Sequence, residues 1–272
     1  MKIAALQMVS SPNLAANLAT AERLIDQAAS DGAQLVSLPE YFVQMGLNET
    51  DKFQIAEEFG RGPMQEMLAT KARQHALWVT GGSIPIKTQE LAKLTNTALL
   101  FNPPGEVVAR YDKMHLFSYQ DGTRNLDEGR TMVAGREVVT ADTPFGRIGM
   151  SICYDLRFPE LYRAMGEVDL ILAPSAFTVP TGSAHWRFLL IARAIENQCY
   201  VLAAAQGGTH GNGRQTYGHS MLVDPWGEVV SVLPHGEGVV LGEMDPERLK
   251  SVRHNLQALK HRRLNTTEMQ VN

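Results

Sequence analysis

The sequence predicts an α/β fold, and three observations lead to this prediction. Short apolar segments alternate with segments of helical periodicity along the 272 residues, which is the pattern of folds built from strand–helix units. Clusters of Pro, Gly, Asn and Asp separate these segments, and such residues favour turns. Side chains with reactive groups directly follow several predicted strands. In open α/β sheets this is the edge at which ligands bind.

The N-terminal part predicts a strand–helix–strand unit. Residues 2–9 alternate and are rich in apolar residues, and Asn13 provides a start for a helix whose apolar residues recur at helical spacing. A short apolar strand over 34–38 is closed by Pro39, Glu40 and Tyr41. Glu40 is therefore expected just beyond the end of a strand.

The middle of the chain predicts further strands around a second helix. Lys113 comes directly after the second strand of a hairpin. The predicted elements are, in order, an irregular segment with one weak helix over 44–62, a helix over 63–75, a strand over 76–82, a hairpin with strands 94–101 and 107–111, and a polar loop over 119–130.

The C-terminal half predicts mostly strands. They are expected at 137–141, 147–152, 169–173, 200–205, 217–224, 228–232 and 239–243, with helices over 185–196 and from Pro246 and a polar end over 261–272. With no repeat and no linker, we expect a single domain over 1–272, with a core of about 1–250 and a C-terminal tail over 251–272.

The composition is that of an ordinary globular protein, with 44% hydrophobic residues, 20% charged residues and a net charge of −4. Lys and Arg form no basic stripe, which argues against a nucleic-acid partner. No apolar run is long enough to span a membrane, and the N-terminal run is too short for a signal peptide. Two cysteines fit a reducing compartment, so we expect a cytoplasmic protein.

The segment 147–161 predicts a sharp turn from a strand into a helix, with Cys153 at the turn. A thiol there is lifted clear of the sheet and lies near free backbone N–H groups and the positive end of a helix, which favour the thiolate. Cys153 is therefore a candidate nucleophile. The alternative is a buried structural cysteine, because free cysteines usually behave as small hydrophobic residues.

A carboxylate at Glu40, an amine at Lys113 and a thiol at Cys153 thus follow three different strands. Taken singly, Glu and Lys are usually solvated surface charges. Their common placement predicts that the three side chains converge on one cleft, since side chains at one edge of a sheet can share a pocket.

The chain resembles the nitrilase superfamily of carbon–nitrogen hydrolases over nearly its whole length. The resemblance rests on Leu38–Glu40, Lys113–Phe117 and Ile152–Asp155, where that family carries its Glu, Lys and Cys. It implies an αββα sandwich that dimerises into a four-layered αββα-αββα stack. It also implies a second catalytic acid at Glu128, for which the alternative is a solvated loop carboxylate.

These residue types suit covalent acyl transfer. Glu40, if desolvated beside Cys153, could accept the thiol proton and later activate water. Lys113 and the backbone N–H of Tyr154 could stabilise the negative charge on the carbonyl oxygen of a substrate amide. Glu128 would hold Lys113 or guide the leaving amine. The hypothesis is a cysteinyl thioester that water hydrolyses.

A Cys-His pair is the rival mechanism, with His115, His185 and His219 as candidates. Structural hydrogen bonding is the alternative for each, and His115 could position the site because it shares a face with Lys113. The histidines are scattered and the cysteines are not paired, so neither a metal nor another cofactor is expected. The glycines of 207–213 precede a strand rather than a helix, which argues against nucleotide binding.

The residues after Cys153 resemble the amidases of the superfamily rather than the true nitrilases. Arg157 is a candidate to bind a substrate carboxylate, because a guanidinium donates a matching pair of hydrogen bonds. An ion pair with Glu160 or a role at an interface is the alternative. The residues expected to contact substrate are Tyr41, His115, Arg157, Phe177 and Thr178.

From about residue 145 to 230 the resemblance is greatest to amidases that hydrolyse deaminated glutathione. It implies a small-molecule substrate, a 2-oxoglutaryl amide, cleaved to 2-oxoglutarate and cysteinylglycine as metabolite repair. An ω-amidase acting on 2-oxoglutaramate and an N-carbamoyl-amide hydrolase are alternatives, and a non-catalytic binding subunit is a remote one. By resemblance, the helices that follow Cys153 and His185 lie at the interface of a homodimer.

Overall fold

Two β-sheets pack face to face, and helices cover their outer faces. The computed structural model describes residues 1–90, 92–120 and 125–264. Within them the layers follow the order helix, sheet, sheet, helix. The predicted α/β fold with αββα layering is therefore confirmed.

Strands are numbered in chain order. In the described residues the first sheet comprises β1 (Lys2–Gln7), β2 (Leu35–Ser37), β3 (Trp78–Thr80), β4 (Ile84–Lys87), β5 (Leu94–Phe101), β6 (Val107–Asp112) and β15 (Gly238–Glu243). Their order is β15-β1-β2-β3-β5-β4, with β6 also paired to β5. The pairs β1–β2 and β2–β3 are parallel, and the other pairs are antiparallel.

The second sheet comprises β9 (Thr140–Thr143), β10 (Gly146–Met150), β11 (Leu170–Leu172), β12 (Tyr200–Ala203), β13 (Ser220–Val223) and β14 (Val229–Leu233). They lie in the order β14-β13-β12-β11-β10-β9, and the central strands β10, β11 and β12 are parallel. A separate small hairpin pairs β7 (Ser118–Gln120) with β8 (Asn125–Asp127).

The α-helices of the described residues are α1 (Leu14–Ser30), α2 (Lys52–Ile55), α3 (Pro63–His75), α4 (Pro159–Ala164), α5 (Val179–Thr181), α6 (Arg187–Asn197) and α7 (Pro246–Asn255). Short 3-10 turns occur at Glu128–Arg130, Cys153–Arg157 and Ala258–His261, and a π-helical turn at Gly182–Trp186 joins α5 to α6.

Strand β1 shows how the sequence pattern produces the layers. Successive side chains of a strand point to opposite faces of a sheet. Ile3 and Ala5 enter the core between the sheets, whereas Ala4 and Leu6 pack in the core that also contains Leu24 of α1 and residues of α3. The alternation therefore buries both faces of the first sheet.

The helix starts predicted at Asn13 and Pro63 are confirmed. The side chain of Asn13 accepts a hydrogen bond of 3.0 Å from the Ala16 N–H, which caps α1. Pro63 occupies the first turn of α3, where its missing N–H costs little. The C-terminal cap of α3, Ala76, takes the left-handed conformation with φ 52°.

Two predictions about strands were wrong. The segment 119–130 was predicted to be a loop, yet it contributes to the β7–β8 hairpin and a 3-10 turn; residues 121–124 lie outside the described residues. Strand β4 was not predicted. It contains Pro85, which breaks the hydrogen-bond ladder of a central strand, but β4 lies at the edge of its sheet, where Pro is tolerated.

Other elements differ at their boundaries, among them three in the C-terminal half. The strand predicted over 137–141 is observed at Thr140–Thr143, and the strand predicted over 217–224 begins only at Ser220. Gly218 and His219 before it take left-handed φ values of 69° and 57°, which are incompatible with an extended strand. The helix predicted from His185 begins as an α-helix only at Arg187, because a π-helical turn precedes it.

The predicted division between core and tail at residue 251 does not match the packing. Helix α7 continues to Asn255, and Arg253 is bound to the segment that leads into β11 of the second sheet. Its guanidinium donates hydrogen bonds of 2.6 Å to the Val168 carbonyl and 2.9 Å to Asp169. Residues 265–272 of the predicted tail lie outside the described residues.

Gly82 allows the chain after β3 to approach the chain after β2. Its φ is +48°, and a Cβ atom there would lie 2.1 Å from the carbonyl oxygen of Pro39 and 2.6 Å from that of Leu38. No side chain fits at such distances. The absence of a side chain at Gly82 therefore sets the position of the segment that carries Glu40.

We expect Gly82→Ala to lower the free energy of unfolding by about 3 kcal/mol, because it adds an atomic overlap to backbone strain. Gly60 is the matched control, since its φ is +83° and a Cβ atom there would meet no atom within 4 Å. Gly60→Ala should cost only about 1–2 kcal/mol of strain. Urea unfolding followed by circular dichroism measures both, and equal losses would contradict the argument.

Candidate active site

Three strand ends bring reactive side chains to one edge of the sandwich. Glu40 follows β2 and Lys113 follows β6 in the first sheet, and Cys153 follows β10 in the second. All three side chains are buried. The structure therefore brings together residues that are 40 to 113 positions apart in the sequence, as the strand-end pattern predicted.

Lys113 is shared between two carboxylates. Its Nζ lies 2.8 Å from Oε1 of Glu40, and it lies 2.8 Å from Oε2 and 3.1 Å from Oε1 of Glu128. The side chains of Lys113 and Glu40 expose 1% and 2% of their surface. Buried charges are tolerated when they are paired and hydrogen-bonded, so these three residues form a single charged unit.

For both Lys113 and Glu128, charge pairing has a larger effect on the pKa than desolvation has. Burial acts to lower the pKa of Lys113, but the carboxylates of Glu128 and Glu40 hold that pKa well above its usual value. Burial acts to raise the pKa of Glu128, but the Lys113 ammonium and the hydrogen bonds to the carboxylate lower it. In the resting site Lys113 is a cation and Glu128 an anion, so neither is ready to exchange a proton.

Neighbouring polar groups orient the two carboxylates. The Asn96 side chain donates a hydrogen bond of 3.0 Å to Oε1 of Glu40, and Gln206 donates one of 3.1 Å to the Glu40 carbonyl. The Phe117 N–H donates at 2.7 Å to Oε2 of Glu128, and the Tyr41 hydroxyl donates to Oε1 of the same carboxylate. The carboxylates are thus fixed from several elements.

Cys153 sits at the predicted sharp turn. Its φ is 49°, in the left-handed region, and its N–H donates a hydrogen bond of 2.9 Å to the Pro174 carbonyl. A 3-10 turn and then α4 follow it, in place of the single predicted helix. A residue with a side chain is strained in this conformation, and the strained turn directs the thiol towards Glu40.

The expectation that the turn favours the thiolate was wrong for the resting site. Burial raises the pKa of the Cys153 thiol well above its usual value, and the adjacent Glu40 carboxylate raises it further. Lys113 and the backbone N–H of Ala176 act in the opposite direction but do not prevail. Cys153 therefore rests as a thiol beside the Glu40 carboxylate.

The peptide N–H of Tyr154 follows the nucleophile candidate directly. Among the described residues no carbonyl accepts a hydrogen bond from it. The Tyr154 side chain lines the same chamber as Cys153. A free donor beside the sulfur is suited to bind an oxyanion.

Asp155 fastens this turn to the segment that carries Lys113. Its carboxylate is fully buried and accepts hydrogen bonds of 2.8 Å from the Ile152 N–H, 2.7 Å from the Tyr111 hydroxyl and 3.0 Å from the His115 N–H. The His115 ring N–H also donates to it at 2.7 Å. The carboxylate therefore links the ends of β6 and β10.

The structure gives the three candidate histidines other partners than the thiol. His115 stacks on Phe158 with ring centroids 3.7 Å apart, and within the described residues it does not line the chamber around Cys153. His185 accepts a hydrogen bond of 3.3 Å from Arg157, and His219 donates one of 2.8 Å to the Tyr217 carbonyl. The geometry thus favours Glu40 over a histidine as the base.

Two cavities with shared lining residues adjoin the reactive groups. The inner chamber, of about 20 Å³, contains Glu40, Lys113, Glu128 and Cys153. Further side chains of its wall are Tyr41, Phe117, Tyr154, Arg157, Phe177, Thr178 and Arg214. Four of the five residues predicted to contact substrate therefore lie here, and His115 is the exception. The chamber has room for about one water or one carbonyl group.

The outer cavity, of about 410 Å³, lies beyond the inner chamber. It is lined by residues 44–49, Lys52, residues 126–128, Thr131 and residues 212–214, and it shares Tyr41, Phe117, Glu128, Thr178 and Arg214 with the chamber.

Within the described residues no group of three or more His, Cys, Asp or Glu side chains could hold a metal ion.

Comparison with known proteins assigns the family. The model of the carbon–nitrogen hydrolase family matches residues 2–254. The chain belongs to the carbon–nitrogen hydrolase family. A deaminated glutathione amidase of Synechocystis sp. is 44% identical to this hydrolase over 266 residues, which cover 95% of this chain and 97% of that protein. The family and this relative identify an enzyme that hydrolyses amides.

Solved structures agree with the assignment. Nit3 of Saccharomyces cerevisiae, a member of the nitrilase superfamily, is 32% identical to the hydrolase, covers 97% of both chains and superimposes with a TM-score of 0.87. A mutant amidase of Nesterenkonia sp. AN1 is 25% identical, covers 94% of this chain and 98% of its own, and has a TM-score of 0.77. In that amidase acrylamide has added to the active-site cysteine.

The described part of the hydrolase contains no helix that is both long enough and apolar enough to cross a bilayer.

Four residues that complete the site were not predicted as site residues. Asn96 is buried in strand β5, between Thr95 and Thr97, so the available signal was a polar triplet at the start of a strand that is apolar from Ala98 onwards. Asp155 belongs to the recognised Ile152–Asp155 motif, but no role was assigned to it. Lys52 and Arg214 lie on segments whose sequence carries no periodic pattern, and the sequence offered no signal for them.

The raised pKa of the thiol predicts the pH dependence of its alkylation. In a Cys199→Ala background, iodoacetamide should modify Cys153 slowly at neutral pH. The rate should rise only at pH values above the usual pKa range of thiols, where the thiolate forms. Glu40→Gln removes an anion beside the sulfur, so its profile should shift to lower pH even though hydrolysis is lost.

Mass spectrometry of samples quenched at a series of times and pH values measures these rates. A wild-type profile centred below the usual thiol range would contradict the prediction, and so would a Glu40→Gln profile shifted to higher pH.

Proposed function

We propose that this hydrolase cleaves the amide bond of deaminated glutathione, releasing 2-oxoglutarate and cysteinylglycine, through a thioester on Cys153. The observation that carries the proposal is the placement of the Cys153 thiol, the Glu40 carboxylate and the Lys113 ammonium in one buried chamber. The deaminated glutathione amidase of Synechocystis sp. supports the choice of substrate.

In the first step Glu40 takes the proton of Cys153 as the sulfur attacks the amide carbon. A C–S bond forms, and the electron pair of the carbonyl π bond moves to oxygen. The Lys113 ammonium and the Tyr154 N–H donate hydrogen bonds to this oxyanion. One such donor is typically worth about 10²–10³ in rate. Because the thiol rests protonated, transfer to Glu40 must accompany the attack.

In the second step the carbonyl re-forms and the C–N bond breaks. The protonated Glu40 gives its proton to the departing nitrogen, so cysteinylglycine leaves as a neutral amine and the 2-oxoglutaryl group stays on sulfur. Water then enters, Glu40 takes one of its protons, and the hydroxyl attacks the thioester. Release of 2-oxoglutarate breaks the C–S bond, and the proton on Glu40 returns to the sulfur.

Glu128 acts in this scheme as the residue that positions Lys113. It makes two of the three contacts of the ammonium, and its lowered pKa makes it a poor proton donor to the leaving amine. Of the two roles expected for Glu128, holding Lys113 is therefore the better supported.

Arg157 binds the 2-oxo carboxylate of the acyl group in this proposal. Its guanidinium lies over the rings of Tyr154 and Phe177, at 5.7 and 5.5 Å, and donates one hydrogen bond to His185. In the described residues no carboxylate, including Glu160, forms an ion pair with it. The inner chamber is too small for the whole acyl group, so side chains of its wall must move when substrate binds. In this proposal the Arg157 guanidinium exchanges its hydrogen bond to His185 for one to the bound carboxylate.

A product assay tests the function. Wild-type enzyme with deaminated glutathione should release 2-oxoglutarate and cysteinylglycine in equal amounts, as measured by liquid chromatography and mass spectrometry. Cys153→Ala and Glu40→Gln should each lower kcat by at least about 10³, since each removes a group that acts in the reaction. Cys199→Ala is the control that removes the other thiol, and it should keep near-wild-type kcat.

Turnover by Cys153→Ala at the wild-type rate would overturn the mechanism. Hydrolysis of 2-oxoglutaramate or N-carbamoyl compounds by wild-type enzyme, without hydrolysis of deaminated glutathione, would overturn the substrate.

We also propose that the enzyme is a homodimer in a reducing, cytoplasmic compartment. Helix α6 supports the dimer because its Phe188 and Ile195 side chains are 70% and 47% exposed, and exposed apolar surface is characteristic of interfaces. Both cysteines, Cys153 and Cys199, are free thiols, which agrees with a reducing compartment.

Phe188→Glu should convert the dimer to monomer, because it would bury two unpaired charges at a twofold interface. Size-exclusion chromatography with light scattering gives the mass. Val138→Glu, at a position that is 40% exposed, is the control and should remain dimeric. A monomeric wild type, or a Phe188→Glu variant that stays dimeric at micromolar concentration, would contradict the proposal.

A further inference from the structure

Two cations of the outer cavity have no role in the reaction described above. Lys52 comes from α2 in the irregular segment over 44–62, and Arg214 comes from the loop between β12 and β13. Burial lowers the pKa of Lys52, and the Arg214 charge acts in the same direction, whereas the Glu128 and Glu49 carboxylates act against it. Two like charges at one cavity wall are unfavourable unless an anion binds between them.

The Arg214 guanidinium is only partly satisfied by the protein. One Nη donates a hydrogen bond of 3.2 Å to the Ala176 carbonyl, and the other lies 3.9 Å from the sulfur of Met45. Its Nε is buried and has no acceptor among the described residues. A buried donor without a partner is costly, and a guanidinium matches a carboxylate in shape and charge.

Within the described residues, Lys52 is held in place by a hydrogen bond rather than by an ion pair. Its Nζ donates a hydrogen bond of 3.1 Å to the Thr131 hydroxyl and lies 6.0 Å from the ring centroid of Tyr41. Three acids also line the cavity, namely Glu49, Asp127 and Glu128. Glu49 is exposed, Asp127 faces Arg130 at 3.8 Å, and Glu128 is paired with Lys113. In the described residues none of the three acids forms an ion pair with Lys52 or Arg214.

The position of these cations relative to Cys153 suggests which end of a substrate they meet. Arg157 lines only the inner chamber, Lys52 lines only the outer cavity, and Arg214 lines both. An amide bond held at Cys153 with its acyl carboxylate at Arg157 directs the leaving amine into the outer cavity. A two-residue amine spans at most about 7 Å, which the cavity of about 410 Å³ accommodates.

We propose that Lys52 and Arg214 form a second carboxylate subsite, which binds the terminal carboxylate of a peptide-like leaving group. This inference rests on the proposed function and makes it more specific. The enzyme thereby recognises both ends of its substrate, and an amide whose leaving group is ammonia leaves this subsite empty.

The test compares two substrates that differ only at this carboxylate: deaminated glutathione and its analogue with a C-terminal glycinamide. Wild-type enzyme should prefer the carboxylate in kcat/KM by about 10- to 100-fold, the range expected for a charge-assisted hydrogen bond. In Arg214→Gln the preference should fall to about twofold or less, through loss on the carboxylate substrate alone. Lys52→Gln should reduce it partly, and Arg214→Lys should retain part of it.

Arg23→Gln, at an exposed position on α1, is the matched control and should keep the wild-type preference. Equal losses on both substrates in Arg214→Gln would overturn the subsite, since they would indicate a role in folding or at the acyl end. An unchanged preference would overturn it as well. If wild-type enzyme hydrolyses neither substrate, the proposed function fails instead.

Discussion

The site depends on one interaction, the sharing of the buried Lys113 ammonium between Glu40 and Glu128. None of the three charges could be buried alone, because removing an ion from water costs several kcal/mol even after relaxation. Together they satisfy one another, with Asn96, Tyr41 and the Phe117 N–H accounting for the remaining contacts. The packing of two sheets is needed to keep water out, so the fold and the charged unit stabilise each other.

The same arrangement explains why the thiol is protected at rest. Its raised pKa keeps the sulfur protonated, which limits both oxidation and adventitious alkylation. In the proposed reaction the enzyme does not rely on a standing thiolate. Reactivity arises only when a carbonyl group occupies the chamber, because the Lys113 ammonium and the Tyr154 N–H then stabilise the charge that the sulfur transfers to oxygen.

The sequence was sufficient to place Glu40, Lys113 and Cys153 at strand ends, since strand periodicity and turn residues are local signals. It was insufficient where the outcome depends on packing. The edge position of β4, which makes Pro85 acceptable, follows from sheet order. The raised thiol pKa follows from burial beside Glu40. Lys52 and Arg214 line the same cavity only because two segments outside the sheets fold next to each other, and no sequence periodicity predicts such a placement.

The residues that the proposed chemistry uses follow the strands of the sandwich, whereas Lys52 and Arg214 belong to segments outside the sheets. This separation has an evolutionary consequence. Lineages can replace the irregular segments and acquire new leaving-group preferences while the thiol, its base and the ammonium keep their geometry. Exchanging these two segments between amidases would, by the same argument, change the preferred leaving group and leave the catalytic residues in place.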